Sequence, residues 1–199
     1  MVGSDSAGKD IPRVKGASLL GFFKYVKEQP EGEQKMARVL ATMPAESAGE
    51  CRKKVIAVAE YPYRVFVDYI RACDRVLGRG DLAVCRQLGE FAAMHDVRSF
   101  LKMVKTEPEP GDVFRAASLL WKNYHLHSGR LQVEDATPEH SLLRIHDFPQ
   151  MDPAHCRLME GYFTSGLREL QREVLEEFHE TRCPSRGDPY HEFAGKWRE

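Results

Sequence analysis

The chain has 199 residues, 42% of them hydrophobic and 30% charged, with 29 basic against 30 acidic side chains. That length and apolar content suit one domain with its own core, and the near-zero net charge argues against a nucleic-acid binder, which carries a basic surplus on one face. No apolar run approaches the roughly 18–20 residues needed to span a bilayer. The polar start from Met1 to Lys15 has no apolar signal core, so a cytoplasmic protein is expected. Five cysteines is an odd count, which does not suit a disulfide framework. Cys51, Cys73 and Cys85 fall in helical or flanking patterns and read as ordinary thiols.

Residues 1–14 lack an apolar period and read as a disordered tail, leaving 15–199 as a single domain. Leu19, Phe22, Phe23 and Val26 recur at helical spacing, which predicts a helix over Ser18–Glu28 closed by Pro30 and Gly32. A second helix is expected over Glu33–Met43 and a loop over 45–51; Lys54–Ala59 fits either state. Pro62 opens a helix whose stripe is Val65, Phe66, Tyr69, Ile70 and Cys73, and Gly78 and Gly80 stop it. Asp81 caps the next helix, Val97–Val104 continues the theme, and Pro108, Pro110 and Gly111 read as a hinge before a short helix over Val113–Trp121.

After Trp121 the period shortens. Tyr124–Val133 reads as a hairpin around Ser128-Gly129, and Ser141–Phe148 as a further strand. Asp152-Pro153 is a strong helix start, with Met159, Tyr162, Phe163, Gly166, Leu167 and Leu170 on the buried face. Strands over Val174–Cys183 and Tyr190–Trp197 close the chain. The order is a helical N-terminal half, then ββ(β)αββ: an α+β domain whose antiparallel sheet is covered by helices.

The last two strands carry the most informative pair. Seven residues separate Cys183 from His191. A three-residue loop, Arg186-Gly187-Asp188, would set the two directly opposite, with β-carbons about 4.5–5.5 Å apart. Phe193 and Trp197 share the side of His191 by alternation, so that side is the buried one. Cys156, in the first turn of the helix after Asp152, belongs to the buried stripe and could converge on the pair, with Glu134, Asp135, His155 or Glu160 as a fourth ligand. Thiolate and imidazole are good zinc donors; two buried cysteines and a hydrogen-bonded histidine that merely fill the core are the competing reading.

Cys156, Gly161-Tyr162-Phe163-Thr164-Ser165-Gly166, Glu180-Thr-Arg-Cys183 and Gly187-Asp-Pro-Tyr-His191-Glu-Phe193 together resemble the C-terminal half of the 4-vinyl reductase domain. Its superfamily includes haem–nitric-oxide-binding domains, the aromatic-sensing domains of phenol- and xylene-responsive regulators, and TRAPP subunits. The resemblance covers roughly residues 150–197, and His191 stands where the family has its second cysteine. It implies a small-molecule-binding domain, often dimeric and used as a sensor. Carried over by position, the structural zinc ligands of the aromatic-sensing relatives become Cys156, Cys183 and His191. The haem-binding relatives use a helical histidine and a Tyr-x-Ser-x-Arg motif; His95 sits on a helical stretch, but that motif is absent, which argues against haem.

No nucleophile elbow, P-loop, dinucleotide fingerprint or His-Glu-x-x-His occurs, so an enzyme is not expected. The expected function is a non-catalytic sensor of a small apolar or aromatic ligand, with a structural zinc, acting as a homodimer through a protein partner. Its pocket would lie between the helices and the sheet, lined by Phe66, Tyr69, Phe91, Tyr162 and Phe163. The alternative is a dimerising interaction scaffold without a ligand; a haem or gas sensor, or an enzyme, ranks behind both.

Overall fold

The computed structural model describes residues 11–103 and 108–198. In chain order these form β1 (Arg13–Lys15), α1 (Gly16–Lys27), α2 (Gly32–Thr42), α3 (Ala45–Arg52), β2 (Glu60–Pro62), α4 (Tyr63–Leu77), α5 (Ala83–Leu101), α6 (Pro110–Tyr124), β3 (His125–Leu126), β4 (Arg130–Ala136), β5 (His140–His146), α7 (Pro153–Glu169), β6 (Glu173–Arg182) and β7 (His191–Arg198). The α+β class and the helical first half are as expected.

The main sheet is antiparallel, in the order β4-β5-β7-β6. Leu131, Leu143, Ile145, Phe178, Phe193 and Trp197 are buried on it. Helices α6 and α7 pack against this sheet, and α5 packs along α7. The α5–α7 approach is close because both helices offer a glycine. A Cβ on Gly89 would sit 1.9 Å from the Leu158 carbonyl oxygen, and one on Gly161 would sit 2.1 Å from that of Arg86. Each backbone therefore presses directly on the other.

The helix starts follow local chemistry. Asp152 caps α7, its Oδ1 accepting from the Ala154 amide at 2.8 Å, and Pro153 occupies the first helical position. At α5 the cap comes from the preceding helix: Asp74 is 1% exposed, its Oδ2 accepts from the Leu82 amide at 2.9 Å and its Oδ1 from that of Val84 at 3.0 Å. Asp81, the expected cap, accepts only from Ala83, at 3.1 Å.

Four expectations change. Residues 45–52 are helical, not a loop, because Ala48 and Cys51 bury against the core. The two expected segments from Leu82 to Val104 join in one helix, α5; residue 104 itself lies outside the described residues. The hairpin around Ser128-Gly129 does not form: β3 leaves to pair with β1, with Val14 opposite His125, in a small sheet ordered β2-β1-β3. Of the tail expected over 1–14, residues 1–10 lie outside the described residues. Arg13 and Val14 are part of β1, and Val14 is fully buried. Among the described residues no helix is long and apolar enough to cross a membrane.

Candidate functional site

Two places in the fold bring chemistry-bearing side chains together. The first is the β6–β7 connection. Arg182 pairs with Glu192, so the next residues, Cys183 and His191, stand opposite each other at the end of the ladder. The connection is not the simple three-residue loop expected. Pro184–Arg186 form one 3-10 turn, Gly187 takes φ +92°, and Asp188 Oδ2 accepts from the Cys183 amide at 2.8 Å. A left-handed φ of that size favours glycine, which has no Cβ to clash.

Cys156, Cys183 and His191 do meet. His191 Nδ1 is 3.6 Å from Cys156 Sγ and 3.7 Å from Cys183 Sγ, and all three residues are buried. Glu180 joins them, its Oε1 2.8 Å from His191 Nδ1, and the four donor atoms lie within 4.8 Å of one another. A tetrahedral ion with bonds of about 2.0–2.3 Å needs donors about 3.3–3.8 Å apart, so a small contraction would complete such a site. His191 Nε2 faces the Phe148 carbonyl at 3.1 Å, an oxygen that can only accept. Nε2 therefore carries a proton, and Nδ1 is the nitrogen turned to the other three donors; it donates to Glu180 here and would have to give up that proton to ligate a metal.

Charge is managed within this cluster. Burial pushes the Cys156 thiol far up, and the nearby Glu180 charge adds to it, so the thiol is neutral. Burial also works to raise the Glu180 carboxyl, but hydrogen bonds from His191 and Cys156 outweigh it and hold the group below the usual carboxylate range.

The fourth donor is none of the four expected. Glu134 pairs with His146 and Arg144, Asp135 with His140, His155 with Tyr63, and Glu160 with Arg157. Strict alternation puts Glu180 on the face opposite Cys183. The pairing shows otherwise: Glu180 is opposite Phe193, Arg182 is opposite Glu192, and the extra residue Thr181 makes a bulge between them. That bulge turns Glu180 inward, and only the weak sequence cue of Glu180 three residues before Cys183 hinted at it.

The second place is a cavity of about 230 Å3 among α1, α5, α6 and α7, with β4 at its edge. Of the five expected pocket residues, Phe66, Phe91 and Tyr162 line it. Tyr69 and Phe163 do not. The Tyr69 hydroxyl points to Met36 Sδ at 3.6 Å, and Phe163 packs among Phe114, Phe178 and Phe193. The cavity is therefore mainly between helices; among the described residues the main sheet gives it Leu131 and the small sheet His125.

Its polar groups were not foreseen as a set. Tyr162 donates to Asp96 Oδ2 at 3.1 Å, and burial raises the Asp96 carboxyl. His125 is half-buried as a residue, yet its Nδ1 is sealed and has no hydrogen-bond partner among the described residues. Its ring stacks on Trp121 at 4.3 Å and lies 4.9 Å from that of His155. Burial lowers the His125 pKa to about 3 and that of His155 well below the usual value. His155 Nδ1 is 3.1 Å from the Tyr63 hydroxyl, which already accepts from the Asp152 amide. His155 Nε2 is sealed and has no hydrogen-bond partner among the described residues.

An α+β domain with a small, half-open cavity and a buried thiol–imidazole–carboxylate cluster is thus the class that fold and site define. No protein-family model and no curated protein sequence matches the chain. Solved structures do. An H-NOX protein mutant from K. algicida, in the Fe(II) unliganded state, shares 10% identity with a TM-score of 0.67, covering 93% of this chain and 97% of that one. An H-NOX protein from S. oneidensis in the Fe(II)NO state shares 13%, also at 0.67, covering 93% and 99%. The fold is therefore the one that H-NOX domains have.

This likeness overturns the cofactor expectation, a structural zinc with haem argued against. Iron is the metal in the Fe(II), Fe(II)NO and Fe(II)CO states in which these neighbours were solved. His125 puts an imidazole, a known axial ligand type, on the cavity wall, but its Nδ1 is sealed and the space of about 230 Å3 does not admit a macrocycle without widening.

Proposed function

We propose that the chain is a non-catalytic sensor domain that binds a small molecule in the cavity between α1, α5, α6 and α7 and signals through a protein partner, as a homodimer. The observation that carries this reading is the cavity itself, with aromatic walls and an imidazole whose Nδ1 has no hydrogen-bond partner among the described residues. Sites of this kind are concave and apolar with a few placed polar groups. An interaction scaffold has no use for such a space, and among the described residues no Ser, Thr or Cys nucleophile hydrogen-bonded to a base lines it. The hairpin motif supports placing the chain near 4-vinyl reductase domains within the superfamily. Cys156, Glu180, Cys183 and His191 form a donor set for a metal ion that would staple the β6–β7 hairpin to α7.

A second reading, a haem-based gas sensor, is favoured by the same imidazole. His125 would supply the axial nitrogen and Lys24, on the cavity wall, a cation for a carboxylate; the group would bring an iron able to bind a gas. The cavity would have to widen to take it. Thermal shift with ethylbenzene, indole and haemin, followed by a haemin titration read in the visible spectrum, separates the two. The sensor reading expects stabilisation by at least one probe, abolished when Ala92→Trp fills the cavity. No stabilisation by any probe at millimolar concentration sinks it.

A further inference from the structure

The connection between α3 and β2 turns apolar side chains to solvent on a fixed backbone. Val55 is buried and pins this loop to the core, but Ile56 is 54% exposed and Val58 79%, the highest value of any large hydrophobic residue among those described. The exposure is not looseness. The Ile56 amide donates to the Tyr61 hydroxyl at 3.0 Å, and the Ala59 amide closes a turn onto the Ile56 carbonyl at 3.1 Å. The first turn of α1 grips the same loop, the Gly16 amide donating to the Ala59 carbonyl and the Ala17 amide to that of Ala57, each at 2.9 Å. A Cβ on Gly16 would sit 2.2 Å from the Ile56 carbonyl oxygen, so only glycine lets the two segments close. Single exposed apolar residues need no explanation; here Ile56-Ala57-Val58 form a tip held outward on a braced turn.

Charge flanks the tip. Arg52-Lys53-Lys54 lead directly into it, and Arg13 and Lys15 lie on β1, which pairs with β2. Over β1, and from the last turn of α3 to the first residue of β2, five cations stand against two carboxylates, although the whole chain has a formal net charge of -1. Both carboxylates are taken: Glu50 by Lys53 at 2.7 Å, Glu60 by Lys15 at 2.9 Å and Arg13 at 3.6 Å. That leaves Arg52 and Lys54 without a carboxylate partner among the described residues.

We propose that this tip docks the domain on an anionic lipid surface, with Ile56 and Val58 entering the boundary between headgroups and acyl chains and Arg52 and Lys54 meeting the phosphates. Binding at such a surface combines buried apolar side chains with cations facing anionic lipid. The composition favours lipid over a protein partner. Protein hot spots are enriched in Trp and Tyr and depleted in Val, and a specific protein interface takes about 20–30 residues a side. A tip of three aliphatic residues offers neither an aromatic anchor nor that area. Each signal is weak singly, so the binding is reversible and falls as salt screens the charges.

The test uses the full chain with vesicles of phosphatidylcholine and phosphatidylglycerol, and pure phosphatidylcholine as the uncharged control. In cosedimentation at low salt, wild type is expected to bind the anionic vesicles and not the control. Replacing the tip by Ile56→Ser with Val58→Ser should weaken binding about tenfold or more. Lys54→Glu should weaken it and flatten its salt dependence. Trp121 and Trp197 are both buried, so the emission added by Val58→Trp reports on the tip. That emission should shift to the blue on anionic vesicles, whereas Leu175→Trp, an exposed site on β6, should not shift. No cosedimentation of wild type, equal binding to the control, binding that survives the serine pair, or equal shifts at the two tryptophan sites overturns the proposal. A blue shift of Val58→Trp that grows with protein concentration in the absence of lipid makes the tip a contact between copies of this chain and overturns it too.

Discussion

Glu180 Oε1 lies 2.8 Å from His191 Nδ1, and the contact exists because β6 accommodates one extra residue, Thr181, opposite β7. Without that bulge the carboxylate would point to solvent and the cluster would have three donors. With it, two thiols, an imidazole and a carboxylate share one buried corner between the hairpin and α7.

The first prediction concerns that corner. Reduced protein purified without a histidine tag is expected to bind one equivalent of Co(II), a spectroscopic probe, with a thiolate charge-transfer band. Cys183→Ser, His191→Ala and Glu180→Gln should each weaken binding by about tenfold or more, since even outer-shell changes cost that much. A wild-type spectrum without the band, or one unchanged in Cys183→Ser, counts against the donor set.

Stability should depend on pH through the two buried imidazoles. The folded pKa of His125 is lowered to about 3 and that of His155 is lowered well below the usual value. Below about pH 6.5 the unfolded chain takes up protons that the folded chain refuses. Their contribution is therefore complete above pH 6.5 and is lost as pH falls, by up to about 1.4 kcal/mol per pH unit for each group. Urea unfolding between pH 6.5 and 5 should show this slope, reduced by up to one proton in His125→Phe. An identical slope in the variant would contradict it.

The α5–α7 contact should be intolerant of a single methyl group. Gly89→Ala and Gly161→Ala each place a Cβ about 2 Å from a backbone oxygen of the opposite helix. Backbone cannot yield as a side-chain tip can, so each change should cost about 1–3 kcal/mol or more. The double variant should cost less than the sum, because the first substitution already separates the helices. Midpoints within experimental error of wild type would show that the helices part freely.

Asp74 tests the link between α4 and α5. Its two oxygens satisfy the Leu82 and Val84 amides from a fully buried position. Asp74→Ala leaves both donors unpaired and should lower stability by about 1–3 kcal/mol. Asp81→Ala, which removes one exposed bond, should cost less. The reverse order in denaturant melts would reassign the cap.

Much of this fold was legible in the chain because the information is local. Helical stripes marked α1, α2, α4 and α7, and Asp152-Pro153 marked the α7 start within a residue. Alternation along the last strand placed His191, Phe193 and Trp197 on one buried face. Helix α3 was missed because its turns carry few apolar residues, and the pairing of β3 because its partner, β1, is more than a hundred residues away in sequence.

The sequence by itself determined the α+β order and the buried face that His191 shares with Phe193 and Trp197, since periodicity is set by each residue's near neighbours, and it named Cys156 and Cys183 as candidates to converge on His191 beside a core-filling reading. Tertiary structure alone decided that Glu180 completes the cluster, that Tyr69 and Phe163 are core while Phe66, Phe91 and Tyr162 face a cavity, and that His125 stands there unpartnered. Period-two alternation fails at a bulge, and the bulge is fixed by how β6 and β7 register against each other. A cavity, likewise, is the space left where four helices meet, and no single helix encodes it.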